Sequence, residues 1–299
     1  MALSFHIGEF AALFTACCWT ATALAFESAS NKVGSVSVNL IRLVLALIFL
    51  SIFSLLTRNM LLPLDASPHA WIWLSISGLI GFVMGDLFLF KSYTIIGSRI
   101  SMLIMTLVPP ITALLSWLMM GETLSIFGFA GMALTIGGIV IVIFKRKEGE
   151  KMFSISHSIK GILFAFLGAV GQAVGLVFSK VGMGSYNAFA ATQIRIITGV
   201  IGFAIVISIW KKWRNVGKAI KHTPAMKRII VGSIFGPFLG VSFSLYAVQH
   251  ANAGIASAIM SIVPILIIPP SVIFMKQKVS LKEIIGAIIS VLGVALFFI

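Results

Sequence analysis

The sequence predicts an all-α integral membrane protein of ten transmembrane helices, arranged as two inverted five-helix repeats. Three observations carry that expectation. Of the 299 residues, 59% are hydrophobic and only 10% charged. Soluble domains carry roughly 25% charged residues, so this chain has too little charge to cover a water-facing surface. Apolar runs of about 20 residues recur along its length, enough to cross about 30 Å of hydrocarbon at 1.5 Å per residue. Finally, landmarks of the first half return in the same order 153 to 155 positions later.

Hydropathy and turn signals place the first five spans near 8–27, 36–57, 70–90, 98–120 and 125–144. Five more follow near 161–180, 187–210, 229–249, 253–275 and 281–299. The domain organisation read from this is a first repeat over 1–144, a basic cytoplasmic linker over 145–160 and a second repeat over 161–299. No stretch between spans is long enough to fold as a soluble domain. Ala23-Leu24-Ala25 resembles a small-residue cleavage site. The leading residues carry Glu9 and no Lys or Arg, however, so the basic start of a signal peptide is missing.

The net charge of +14 raises the question of nucleic acid. The basic residues fall in short clusters between apolar runs, as the positive-inside effect would place them, and no nucleic-acid-binding motif occurs. With the N-terminus outside, the cytoplasmic links hold 18 of the 22 Lys and Arg and the outer links hold Arg58 and Lys180. Both termini are therefore expected outside the cytoplasm, with the cluster from Lys211 to Arg228 anchoring to anionic lipid at the inner leaflet.

The repeat is built from many small matches. Gly8 falls on Gly161 and Arg42 on Arg195. Gly81 and Gly85 fall on Gly236 and Gly240, Pro109 on Pro264, and Gly131 on Gly286. Five spans per half is an odd number, so the second half enters the membrane from the opposite side. Such inverted repeats let one chain open to either face around a midplane site, which points to a carrier.

Several in-span residues are candidates for a site. Gly81 with Gly85, and Gly236 with Gly240, lie on one helical face and permit close backbone approach. Pro109 and Pro264 remove a helix hydrogen bond and bend the axis, shaping a central cavity. Ionisable residues at membrane depth are costly and functional by default. Arg42, Asp86 and Glu27 fall toward the cytoplasmic third, where an Arg42–Asp86 ion pair would form an inner gate and the carboxylates would carry protons. Arg195 falls toward the outer third, where Val241 stands in the position matching Asp86. It is left to Glu9, to Glu122 or to a substrate carboxylate. Trp19, Gln172, Gln193, Ser101 and Tyr93 are the remaining cavity candidates, with Gln172 matching Trp19 in the repeat.

Over almost its full length the chain resembles the EamA-like branch of the drug/metabolite transporter superfamily. Trp19, Arg42, Gly85-Asp86, Ser101 through Pro109, Gly121-Glu122, Gly131 and Gly137-Gly138 carry the resemblance. In the second half Lys276-Gln277 stands where the Gly-Glu pair would be. The resemblance implies ten helices, a prokaryotic inner membrane and export or exchange of small metabolites. A cavity of mixed polarity suits amphipathic metabolites such as amino acids.

Other classes find little support. Cys17 and Cys18 are adjacent within an apolar run and form no metal or redox pattern. The five histidines show no paired metal spacing, and no phosphate-binding loop or nucleophile elbow occurs. An intramembrane enzyme or a channel are the alternatives. No cofactor is expected, the partners are the bilayer and a small-molecule substrate, and monomer and homodimer are equally compatible.

Overall fold

The computed structural model describes residues 7–120, 126–146, 153–155, 157–250, 256 and 259–296. Gly121 and Glu122 of the family signature lie outside them. Among the described residues the chain is helical apart from one short ladder, β1 (Phe144–Arg146) antiparallel to β2 (Phe153–Ile155). That ladder leaves the all-α class standing and falls at the stretch read as a basic linker.

The first two helices, α1 (Ile7–Val33) and α2 (Ser35–Arg58), are separated by one residue, Gly34, at φ 84°. A left-handed backbone is costly for any side chain bearing a Cβ, so glycine makes this reversal. Next come α3 (Pro68–Gly78), a π-helical segment over Leu79–Gly85, and α4 (Asp86–Ile104). Ser67 caps α3 by accepting from the Ala70 amide, with Pro68 at the first helical position. Within α4, Gly97 adopts φ 79° and ψ 160°. The hydroxyls of Ser92 and Ser101 lie 2.7 Å apart across it, whereas nine residues of unbroken helix would separate them by about 13.5 Å. The chain therefore folds back on itself at Gly97.

The first half continues through α5 (Val108–Met120) and α6 (Ile126–Ile143). The second holds α7 (Ile159–Met183), α8 (Ala188–Ile209), α9 (Trp213–Lys221), α10 (Thr223–Ser233), a second π segment over Ile234–Gly240, and α11 (Val241–His250). It closes with α12 (Val263–Leu266), α13 (Ile268–Met275) and α14 (Leu281–Leu296). The helix α9 is an addition to the spans expected from hydropathy: it forms inside the Lys211–Arg228 cluster and buries only Val216 and Ala219.

Among the described residues seven helical runs are long and apolar enough to cross a membrane. The run over Pro68–Leu115 contains the Gly97 reversal, and Val263–Met275 adds a shorter apolar stretch. The protein is thus a multi-pass membrane protein. Its packing agrees: large apolar side chains such as Leu56, Ile209 and Phe274 are exposed, while alanines such as Ala12, Ala16, Ala23 and Ala169 are buried. Lipid is as apolar as leucine, so small interior residues that let backbones approach supply the packing.

Helix contacts repeat between the halves. In the α6–α14 interface, Thr135 Oγ1 approaches the Ser290 carbonyl at 3.3 Å and Ser290 Oγ donates to the Thr135 carbonyl at 3.2 Å. A methyl group on Gly286 would lie 2.6 Å from the Gly138 carbonyl, and one on Gly293 would lie 2.7 Å from the Gly131 carbonyl. A methyl on Gly175 would meet Gly81 Cα at 2.9 Å, and one on Gly171 would meet Gly85 Cα at 2.7 Å. In the other half a methyl on Gly236 would meet Thr22 at 2.8 Å, and one on Gly240 would meet Trp19 at 3.0 Å.

Candidate functional site

Asp86 is the first residue after the π segment of the first half. A π turn carries an extra residue, so it rotates the next stretch of helix around the axis. Asp86, Leu89, Phe90 and Tyr93 then share one face at helical spacing and line a cavity of about 160 Å³ within the bundle. On the returning limb Met102, Met105, Thr106 and Pro109 repeat that spacing and line the same space. The second half contributes Gln172, Arg195, Gly236, Pro237 and Pro264, and α1 contributes Trp19. A cavity of about 150 Å³ accepts a benzene-sized guest, so the space suits a small metabolite.

Asp86 organises the polar wall. Arg42 Nη2 donates to Asp86 Oδ2 as a buried ion pair, and Gln172 Nε2 donates to Asp86 Oδ1 at 2.7 Å. Arg42 is oriented from behind: its Nε donates to Asn39 Oδ1 at 2.9 Å, and Asn39 Nδ2 donates to the Asp86 carbonyl at 3.2 Å. The Arg42 guanidinium also lies 4.6 Å from the centre of the Phe90 ring.

Arg195 is 4% exposed, and its Nε has no hydrogen-bond partner among the described residues. Its guanidinium lies 4.8 Å from the centre of the Phe82 ring, which also faces Arg42 at 5.8 Å. Two guanidinium groups and one carboxylate leave this wall with a formal excess of one positive charge. Two buried guanidinium groups that share one counter-charge are costly, so a further negative charge would balance this wall.

The two arginines, expected near opposite membrane thirds, face one cavity. Each enters seven residues into its helix, about 10 Å along the axis, and a long side chain covers the remaining distance. Trp19, Gln172, Tyr93, Pro109, Pro264 and Gly236 also line that space, while Gly81, Gly85 and Gly240 form the helix contacts described above.

Three candidates lie elsewhere. Glu27 accepts from the Ser98 amide at 3.0 Å and from its hydroxyl, so its carboxylate caps the helix that restarts after Gly97. Ser101 donates to the Gly97 carbonyl at 2.7 Å within the same turn. Gln193 donates to Ser51 Oγ and the Leu61 carbonyl, tying α8 to the end of α2. The Glu27 carboxylate, the Ser101 hydroxyl and the Gln193 amide nitrogen are thus engaged inside the scaffold, while Gln193 Oε1 is buried with no partner among the described residues. Conversely, Phe82, Phe90, Met102 and Asn39 do not stand out in the sequence as site residues. Only Asn39 leaves a signal there, as a polar residue three positions before Arg42 in an apolar run.

Polar ties occur at both ends of the bundle. At the end formed by the α2–α3 and α7–α8 links, Arg58 pairs with Asp65 and the Tyr186 hydroxyl donates to Asp65 Oδ1 at 2.8 Å. Gln249 donates to the Tyr186 carbonyl at 2.8 Å. At the other end Arg99 pairs with Glu283 at 2.7 Å and donates to the Lys278 carbonyl at 3.1 Å.

Fold and cavity define the class: a multi-pass helical membrane protein with a charged, ring-lined cavity inside the bundle. The chain belongs to the EamA-like transporter family, whose pattern matches twice, over residues 6–144 and 159–299. Its relatives include the uncharacterized transporter YvbV of Bacillus subtilis, 22% identical over 189 residues that span 63% of this chain and 59% of that protein. An uncharacterized transporter of Archaeoglobus fulgidus is 30% identical over 92 residues, 31% of this chain and 33% of its own. The chain thus spans about three-fifths and one-third of the length of these two relatives. A protein of Methanocaldococcus jannaschii matches at 24% identity over 45% of this chain and 93% of itself, so it is about as long as one half. One solved crystal structure shares the fold, with a TM-score of 0.62 and 19% identity over 99% of this chain and 96% of that one.

Proposed function

We propose that this protein is a ten-span secondary carrier that moves a small amphipathic metabolite bearing a carboxylate, such as an amino acid, by alternating access around the central cavity. The observation that carries the reading is Arg195, buried against Phe82 in that cavity beside the Arg42–Asp86 pair, with its Nε unpartnered among the described residues. A substrate carboxylate supplies the missing partner, and Trp19, Tyr93 and Phe82 pack against its apolar part. Aromatic faces and a bidentate guanidinium together recognise a molecule charged at one end and apolar at the other.

Ten spans result when the limbs on either side of Gly97 are counted separately and the segment ending at Met275 is counted as the ninth. Two inverted repeats, 1–144 and 161–299 joined by 145–160, are supported by the reciprocal contacts. Thr135 and Ser290 occupy matching positions, as do Gly81 and Gly236, Gly85 and Gly240, and the two π segments. Helices related by an internal two-fold touch through reciprocal pairs, as in a symmetric dimer interface. Alternating access then exchanges the roles of the halves. The charge bias puts both termini outside a prokaryotic inner membrane. Asp86 is the candidate proton carrier because it faces the cavity.

Uptake of labelled amino acids into liposomes holding the purified protein, with and without a pH gradient, tests the reading. Saturable uptake lost in Arg195→Ala supports it, and dependence on the gradient assigns protons as the coupling ion. Uptake unaffected by Arg195→Ala removes Arg195 as the carboxylate site, and absence of uptake for every amino acid removes the substrate class.

A further inference from the structure

A second cavity, about 520 Å³, opens on the flank of the bundle between α1 and α13. Cys17, Ala21, Leu24 and Ser28 form one stripe of α1 along it, spaced by four, three and four residues. Pro270 and Phe274 of α13 form the facing wall. From Cys17 to Ser28 the stripe rises about 16 Å, close to the 15 Å depth of one leaflet's hydrocarbon. Small residues at Cys17 and Ala21 keep the groove open where larger apolar side chains would fill it.

Among the described residues the one cation on its wall is Arg228, whose Nη1 is buried and has no hydrogen-bond partner among them. Its place along the groove is fixed by packing. Gly240 meets Trp19, Gly236 meets Thr22 and Gly232 meets Phe26, so α10 and the π segment after it run antiparallel to α1. Arg228, four residues before Gly232, therefore lies at the Ser28 end. Around that end the stretch 211–228 holds seven Lys and Arg and no Asp or Glu. It carries exposed Trp210 and Trp213 beside it, the rings that settle at a membrane–water interface. The helix α9 packs there on α1, α2 and α10.

We propose that this groove is a binding site for one anionic glycerophospholipid of the adjoining leaflet. Its phosphate pairs with Arg228 at the Ser28 end, and one acyl chain lies along α1 toward Cys17. The groove supplies apolar length matched to a chain, and its mouth supplies a cation without a partner among the described residues. The adjoining stretch 211–228 supplies only positive charge, and the nearby Glu27 carboxylate is taken up by Ser98. The site is separate from the central cavity and needs no particular transport substrate.

Native mass spectrometry of the detergent-purified full chain, exchanged with phosphatidylglycerol and phosphatidylcholine of matched acyl chains, tests it. Retention of one phosphatidylglycerol in preference to phosphatidylcholine is expected, falling about fivefold in Arg228→Gln and recovering in Arg228→Lys. Ala21→Trp, which fills the exposed middle of the groove while leaving Arg228 intact, also abolishes retention. Lys218→Gln, on the exposed face of α9, leaves it unchanged. Equal retention of the two lipids, or wild-type retention in Arg228→Gln or Ala21→Trp, overturns the site. A loss in Lys218→Gln as large as in Arg228→Gln reduces it to diffuse surface attraction and overturns it equally.

Discussion

At Asp86 one carboxylate serves two donors from different halves of the chain, Arg42 and Gln172. Removing its charge leaves Arg42 buried without a counter-ion, which costs about 3–5 kcal/mol in known cases. Asp86→Asn should therefore lower the thermal unfolding midpoint sharply, and adding Arg42→Gln should recover most of it. A single variant that melts like the wild type shows that the pair holds nothing together. Lys276 makes a second residue-scale test. It caps α13 in a left-handed conformation, φ 52°, where the family signature has glycine and where a Cβ costs about 1 kcal/mol. Lys276→Gly should raise the midpoint. Arg42, Asp86 and Arg195 stand out in the sequence because charge in an apolar run is rare. Phe82, Phe90 and Met102 do not, since rings and thioethers are ordinary in spans and only the folded chain shows which face inward. Glu27, Ser101 and Gln193 stand out equally in the sequence but lie away from the central cavity, bonded to the scaffold at a helix restart or a link.

Among the elements, the two π segments begin 155 residues apart and both lie against the first helix of the other half. The glycines that permit this are legible from their four-residue spacing. The extra residue in each turn is not, because a uniformly apolar run carries no period to mark it. Nor does hydropathy show that α9 forms within a cluster rich in lysine. Close approach at the π segment sets a contrast between two glycines. An added methyl at Gly171 would lie 2.7 Å from Gly85 Cα, whereas at Gly137 it meets nothing within 4 Å. Gly171→Ala should destabilise by about 1–3 kcal/mol through forced separation of the backbones. Gly137→Ala should be neutral or stabilise by up to about 1 kcal/mol through helix propensity. Equal unfolding midpoints for the two variants would show that the π segment yields without cost.

For the whole molecule, the proposed alternating cycle would break the polar ties at the two ends in turn. Slight burial works to raise the Asp65 carboxyl, but hydrogen bonds from Tyr186 and Arg58, its own backbone amide and the Arg58 charge hold it below the usual carboxylate range. A depressed folded-state value means that the tie contributes fully above the unfolded value of about 3.9 and weakens only as pH falls through the lower folded one. This tie is thus constant between about pH 5 and 8. Exposed pairs of this kind are worth about 0–1 kcal/mol. Asp65→Asn should therefore change turnover by less than about fivefold and leave the shape of the pH profile unaltered. Which end faces the cytoplasm is a separate question, set by charge: 18 of the 22 Lys and Arg sit in links on one side if the N-terminus lies outside, and that bias orients multi-span proteins. The two sides can be read with single cysteines in a Cys17→Ser background, since Cys18 is buried. Leu64→Cys, 74% exposed in the α2–α3 link, should react with an impermeant maleimide on intact cells. Lys218→Cys, exposed on α9, should react only after permeabilisation. The reverse pattern would turn the molecule over in the membrane while leaving the bundle and its cavity unchanged.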